Sequence, residues 1–272
     1  MFAVMEKELC KGFYTTPPLW INKQFGVQQF NFPKLDLLNL SAKAIPEQLR
    51  LGHKMEYVFE QLLNHSEDWK VLAKNLLIDR NKVRQGELDF VLQHKQSKET
   101  YHVELAYKFY IINPEITEPI HRLMGPNKRD MFFTKLEKLK QKQFPLLYCK
   151  ELSKQLEILE IKTETVQQQA CFKAQLFLPY EVDGISIRPL NKNCIKGSWV
   201  RFDDFNTAEF KKWQYYIPFK QEWVLEPSTD RNYATQYETL LDINLRMLKE
   251  NAPMLWVKKP NGVIEKVFVV WW

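Results

Sequence analysis

The sequence predicts an α/β fold, a mixed sheet flanked by helices, with an N-terminal arm in front and an aromatic-rich C-terminal extension behind. Three observations predict it. Apolar residues recur at helical spacing before and after a run of period-two segments, the polar breaks between those segments are short, and no Pro-, Gly- or Ser-rich linker divides the chain. With 272 residues, 45% hydrophobic and 26% charged, the chain can bury one sizeable core.

Residues 1–44 hold Pro17-Pro18, Pro33 and scattered aromatics without a sustained period, which predicts an extended arm packed on the core, docked through Leu37, Leu38 and Leu40. The core is expected over 45–180. Pro46 stands where a helix start tolerates proline, and Leu49, Met55, Val58, Phe59 and Leu62 follow at helical spacing. Three strands come next, Val71 to Ile78, Glu87 to Leu92 and Tyr101 to Tyr110, separated by short polar breaks. A Gly125-Pro126-Asn127 loop then leads into a helix through about Gln143, ended by Pro145. A short helix over Leu152 to Glu160 and a strand over Phe172 to Leu178 complete the core. Residues 181–272 form the extension, rich in Trp and Tyr and closing on a hairpin around Asn261-Gly262.

Composition excludes several function classes. Mean hydropathy is -0.42 and no run approaches the roughly 18 apolar residues of a membrane helix. Glu6, Lys7 and Glu8 interrupt the start of the chain, so no signal-peptide pattern forms and a cytoplasmic protein is expected. The four cysteines are scattered, and the five histidines make no zinc-ligand spacing. No nucleophile elbow, Walker loop or dinucleotide fingerprint is present. A formal charge of +6 suits a polyanionic partner without requiring one.

The residues that carry chemistry lie on the second and third strands. Side chains alternate, so His102, Glu104, Ala106 and Lys108 share one face, and Glu87 and Asp89 share a face of the strand before. Gly86 lets another group approach the backbone. If the two strands pair, Asp89 and Glu104 meet. Two carboxylates suit a hard cation such as Mg2+ or Mn2+, which takes oxygen ligands and water, and a lysine such as Lys108 can neutralise charge developing on a phosphate. Solvated outer faces of amphipathic strands show the same alternation.

The wording of the two strands adds to this. GELDFVL (Gly86 to Leu92) followed by HVELAYKFY (His102 to Tyr110) resembles the PD-(D/E)XK nuclease superfamily, and more closely an uncharacterised bacterial family of domains of unknown function (DUF1853-like) assigned to it. A G-P-N-x-x-D motif is matched by Gly125, Pro126, Asn127 and Asp130, with Lys135, Lys138 and Gln143 following. An L-G-x-x-x-E segment is matched by Leu51, Gly52 and Glu56. The resemblance covers Leu49 to Tyr180 well and extends weakly beyond. It departs from the wider superfamily in its third motif, where Ala106 takes the place of lysine and Lys108 comes one strand period later, about 6 to 7 Å along.

The resemblance implies a restriction-endonuclease-like fold and a metal-dependent nuclease acting on DNA or RNA, with Mg2+ or Mn2+ on Asp89 and Glu104. It implies Glu56 as an additional metal or outer ligand and Lys108 as the group that orients water. The basic helix starting near Lys128 is expected to attract a phosphate backbone, chiefly through Lys135 and Gln143, with Asn127 and Lys128 at its head. The competing expectation is a module of the same fold that binds nucleic acid or a protein without cleaving.

Overall fold

The computed structural model describes residues 2–182 and 184–272. Met1, the first residue of the expected arm, and Asp183, within the expected extension, lie outside the described residues. The strands form a large mixed sheet flanked by helices. The chain divides into two compact units, Met1–Tyr107 with Thr134–Lys173, and Lys108–Phe133 with Ala174–Trp272.

In chain order the regular elements begin with α1 (Phe2–Thr15), β1 (Lys23–Gln24), β2 (Val27–Gln28) and α2 (Leu51–His65). The three strands β3 (Trp69–Arg80), β4 (Val83–His94) and β5 (Thr100–Ile112) follow. Then come β6 (Leu123–Met124), α3 (Phe132–Lys138), α4 (Ser153–Ile158), β7 (Gln167–Pro179), β8 (Ile195–Arg201) and α5 (Phe202–Phe205). The chain closes with β9 (Gln214–Tyr216), β10 (Ala234–Thr235), α6 (Gln236–Leu248), β11 (Met254–Lys258) and β12 (Ile264–Val270).

In the first unit β3, β4 and β5 pair antiparallel in sequence order. Ile78, Leu88 and Val91 pack with Leu147, Leu152 and Leu156 into one apolar cluster. A second is aromatic, where the Phe59 ring of α2 meets Phe90 of β4 at 4.7 Å and Phe13 of α1 at 6.2 Å. The expected extended arm is corrected here: its first part is the helix α1, which buries Leu9, Cys10 and Phe13. Of the three docking leucines only Leu40 is buried, while Leu38 is exposed.

Two helix boundaries also differ from expectation. Pro46 lies in a turn and α2 starts at Leu51, with Arg50 at the cap making no side-chain hydrogen bond. The helix expected from Lys128 begins at Phe132, because Gly125 to Asp130 is taken up by a turn in which the Gly125 N–H donates to the Asp130 carbonyl. It continues past Lys138 as a π-helical turn, Leu139–Gln143, before the break at Pro145. That wide turn sits at a candidate functional residue, Gln143, as such turns often do.

The second unit carries the order β10-β9-β11-β12-β8-β7, parallel at β12–β8 and β8–β7 and antiparallel elsewhere. Trp213 is buried in its core with Phe205, Tyr215 and Ile243 of α6, and Trp199 and Trp256 are also buried. The tail aromatics are therefore largely core. Among the described residues no helix is long and apolar enough to cross a membrane.

Candidate active site

The ladder between β4 and β5 stops at the pair Phe90–Val103. One residue beyond that pair on each strand stand Asp89 and Glu104, and each carboxylate receives a backbone N–H of the other strand. Leu105 N–H donates to Asp89 Oδ2 at 2.8 Å, and Asp89 N–H donates to Glu104 Oε1 at 3.5 Å. The acids thus take over where backbone pairing ends, which satisfies N–H groups that burial would otherwise leave unmet. Both are buried, Asp89 at 9% exposure and Glu104 at 2%.

Glu104 is held from two more directions. His102 Nε2 lies 2.9 Å from Oε1, and the Gln143 amide donates to Oε2. The Gln168 amide nitrogen donates to the Phe144 carbonyl at 2.7 Å and lies 3.0 Å from His102 Nδ1. A carbonyl only accepts, so that nitrogen is fixed as a donor, Nδ1 accepts, and Nε2 carries the hydrogen that points at Glu104. Lys135 Nζ in turn donates to Gln143 Oε1 at 2.9 Å. A continuous chain therefore runs from Lys135 through Gln143, Glu104 and His102 to Gln168, all within the first unit.

The site is short of positive charge. Burial, and then the neighbouring Glu104 carboxylate, push the Asp89 carboxyl up from its ordinary range to about 8; the Leu105 N–H bond opposes this, Glu56 adds to it, and Lys135 opposes it. Two carboxylates this deep do not both ionise at neutral pH without a counter-charge.

Lys108 has a partner of its own. It belongs to the second unit, where its Nζ contacts Asp130 Oδ2 at 2.6 Å. Lys135 is the lysine whose charge acts on Asp89. Glu56 approaches from α2 closely enough to be felt by Asp89, yet its own oxygens are engaged, Oε1 by His53 Nδ1 at 3.1 Å and Oε2 by the Asn75 amide at 3.0 Å. Glu60, one turn on, pairs with Lys74. Among the described residues no three His, Cys, Asp or Glu side chains converge as a metal-binding group, so Glu56 does not complete a triad of acids.

The residues expected to receive a phosphate backbone are also otherwise occupied. Lys135 and Gln143 serve the carboxylate chain. Asn127 Oδ1 accepts the Ala252 N–H at 2.8 Å, and Lys128 Nζ lies 4.0 Å from the Trp272 ring centre. The Gly125-Pro126-Asn127 loop is a turn that anchors the end of the chain, with Trp272 Nε1 donating to the Pro126 carbonyl. The group approaching Gly86 is the Leu146 side chain: a Cβ there would lie 2.6 Å from Leu146 Cδ1. Residues that sequence reasoning did not single out are Gln168 on β7 and Asn75 on β3, both half-buried, whose partners lie far off along the chain.

No curated protein and no solved structure matches the chain. A family model described as "Domain of unknown function (DUF1853)" matches residues 27–270, the same family suggested by the GELDF and HVELAYKFY strands. The chain belongs to the DUF1853 family.

Proposed function

We propose that this protein is a metal-dependent nuclease of the PD-(D/E)XK superfamily, with a restriction-endonuclease-like fold, that hydrolyses phosphodiester bonds of DNA or RNA in the cytoplasm. The observation that carries the proposal is the buried Asp89–Glu104 pair where β4 and β5 part, with the Asp89 carboxyl pushed up to about 8 by burial and then by the Glu104 charge, a conflict that added positive charge relieves. A divalent cation supplies that charge. The donor set fits Mg2+ or Mn2+, since both ligands are carboxylates and such ions keep several waters and take one or two protein carboxylates plus phosphate oxygens.

Asp89 and Glu104 would hold the ion, which when bound lowers the pKa of a water and polarises a phosphoryl oxygen. The chain's own groups do the positioning. His102 and Gln143 fix both Glu104 oxygens, so the carboxylate keeps one orientation, as hydrogen-bonded outer partners do for metal ligands. Lys135, already acting on Asp89, takes the charge-neutralising role expected of Lys108. A nucleic-acid substrate brings its own phosphate to this basic chain of formal charge +6.

One observation favours the second reading, a non-cleaving binding module: both Glu104 oxygens already have neutral partners and Lys108 is engaged by Asp130. Cleavage of single- and double-stranded DNA and RNA with Mn2+ separates the two. Wild-type cleavage that is lost with EDTA, with Asp89→Asn and with Lys135→Ala supports the nuclease. Nucleic-acid binding without cleavage, unchanged by Asp89→Asn, supports the module.

A further inference from the structure

The polar row through the candidate site has a third member. On β3, Lys74 pairs with Phe90 and Leu76 with Leu88, so Asn75 stands opposite Asp89. On the other side of β4, Asp89 and Glu104 follow the last ladder pair of their strands. Asn75, Asp89 and Glu104 therefore succeed one another across three strands at one level. Asn75 also departs from strand geometry, with φ at 50° in the left-handed region. Asparagine tolerates that conformation better than most residues, so an irregular strand explains the backbone by itself.

It does not explain the side chain. The Asn75 amide nitrogen donates to Glu56 Oε2 at 3.0 Å, and because a carboxylate oxygen accepts, the amide has one orientation. Its other end, Oδ1, faces away from Glu56 and is buried without a hydrogen-bond partner among the described residues. A buried carbonyl-type oxygen left unmet is costly, and it is also the neutral donor that hard cations accept beside carboxylates. Charge favours the same role. Two carboxylates balance a divalent ion, whereas Glu56 as a third would leave a buried excess of negative charge.

We infer that Asn75 is a third oxygen donor to a divalent cation held by Asp89 and Glu104, with Glu56 acting on Asn75 and not on the ion. This rests on the metal-dependent reading above. Glu56 is then a positioning residue that turns the amide so that Oδ1 faces the ion.

The test is Mn2+ binding to the full chain by titration calorimetry, which needs no substrate. Glycine adopts positive φ without strain, so Asn75→Gly keeps the backbone and removes the oxygen. It is expected to weaken Mn2+ binding by about tenfold or more, and Glu56→Gln, whose amide oxygen can still accept from Asn75, to weaken it less than Asn75→Gly does. Wild-type affinity in Asn75→Gly overturns the inference and leaves Asn75 a residue of the strand irregularity. A larger loss in Glu56→Gln than in Asn75→Gly puts Glu56 on the ion and overturns it too. Should Asn75→Gly not fold, Glu56→Gln decides alone: at most a severalfold loss of Mn2+ affinity is expected, and a loss of about tenfold or more puts Glu56 on the ion and overturns the assigned roles. Wild type without Mn2+ binding that Asp89→Asn removes refutes the metal-dependent reading itself, and this inference with it.

Discussion

Asp89–Glu104 and Lys108–Asp130 come from the same stretch of motifs, yet they are opposite kinds of pair. The first is like-charged, buried and held by neutral donors from Leu105, His102 and Gln143. The second is oppositely charged and about a third exposed, at 30% and 38%, and it neutralises itself. A pair left with charge to compensate is one that a cation can complete, whereas a pair that compensates itself is a clamp. On the reading proposed above, the carboxylates are the pair that takes a ligand and Lys108 with Asp130 is a clamp.

The largest expected effect comes from removing the charge conflict. The Asp89 carboxyl is held at about 8 against 3.8 ordinarily. Between those pH values the unfolded chain has released its proton and the folded chain has not, so the folded state binds more protons and stability falls as pH rises. Above about 8 the loss is complete. A tenfold difference in proton affinity between the two states corresponds to about 1.4 kcal/mol, so the cost at pH 8 is of order several kcal/mol. Asp89→Asn is therefore expected to match wild type near pH 4 in EDTA and to be progressively more stable toward pH 8, measured by denaturant unfolding. The same variant is expected to lose the Mn2+-induced rise in unfolding temperature and at least about a hundredfold in cleavage rate. Parallel pH profiles for the two proteins would erase the contrast between the pairs.

The contrast sharpens at Gln143. Gln143→Ala removes the amide that donates to Glu104 Oε2 and accepts from Lys135, leaving a buried carboxylate oxygen short of a donor. A loss of about 1 to 2 kcal/mol in stability is expected, together with weaker Mn2+ binding. No loss would show that Glu104 finds water in place of the amide.

How much of this was legible in the sequence follows from the range of each interaction. Period-two alternation is local, and it located β3 and the two strands that carry Asp89 and Glu104 to within a few residues. The acids' convergence was legible because a short break joins β4 to β5. Lys108 was legible as sharing a strand with Glu104, but its capture by Asp130, 22 positions away, leaves no mark in a periodic pattern. Gln143 reaches Glu104 across 39 positions, from a π-helical turn whose spacing differs from the helical period, so it read as a phosphate contact on a basic helix and not as a partner of Glu104. The start of α2 was misplaced because Arg50 offers no capping side chain, and Pro46 supplied a stronger local signal. Asn75 was invisible for another reason: its left-handed backbone and bond to Glu56 are consequences of how β3 meets α2.

A smaller effect is expected at Gly86, which resembles a residue kept open for a ligand. Its missing Cβ makes room for Leu146, and the clash in Gly86→Ala falls on the end of a flexible side chain that can rotate away. A loss of about 1 kcal/mol is expected, at the low end for overpacking, with Mn2+ affinity unchanged. Lost metal binding without lost stability would move Gly86 from packing to the site.

The smallest effect belongs to the clamp. Lys108 and Asp130 are each exposed enough for water and salt to screen their attraction, so a double-mutant cycle of Lys108→Ala and Asp130→Ala is expected to give a coupling below about 1 kcal/mol. The coupling should shrink further at high salt. Cleavage is the discriminating readout. If the pair is only a clamp, Lys108→Ala retains most of the wild-type rate while Lys135→Ala does not, because Lys135 is the cation acting on Asp89. If Lys108→Ala removes cleavage while Asp130→Ala preserves it, the lysine leaves its partner to work on the substrate, and the two lysines exchange roles.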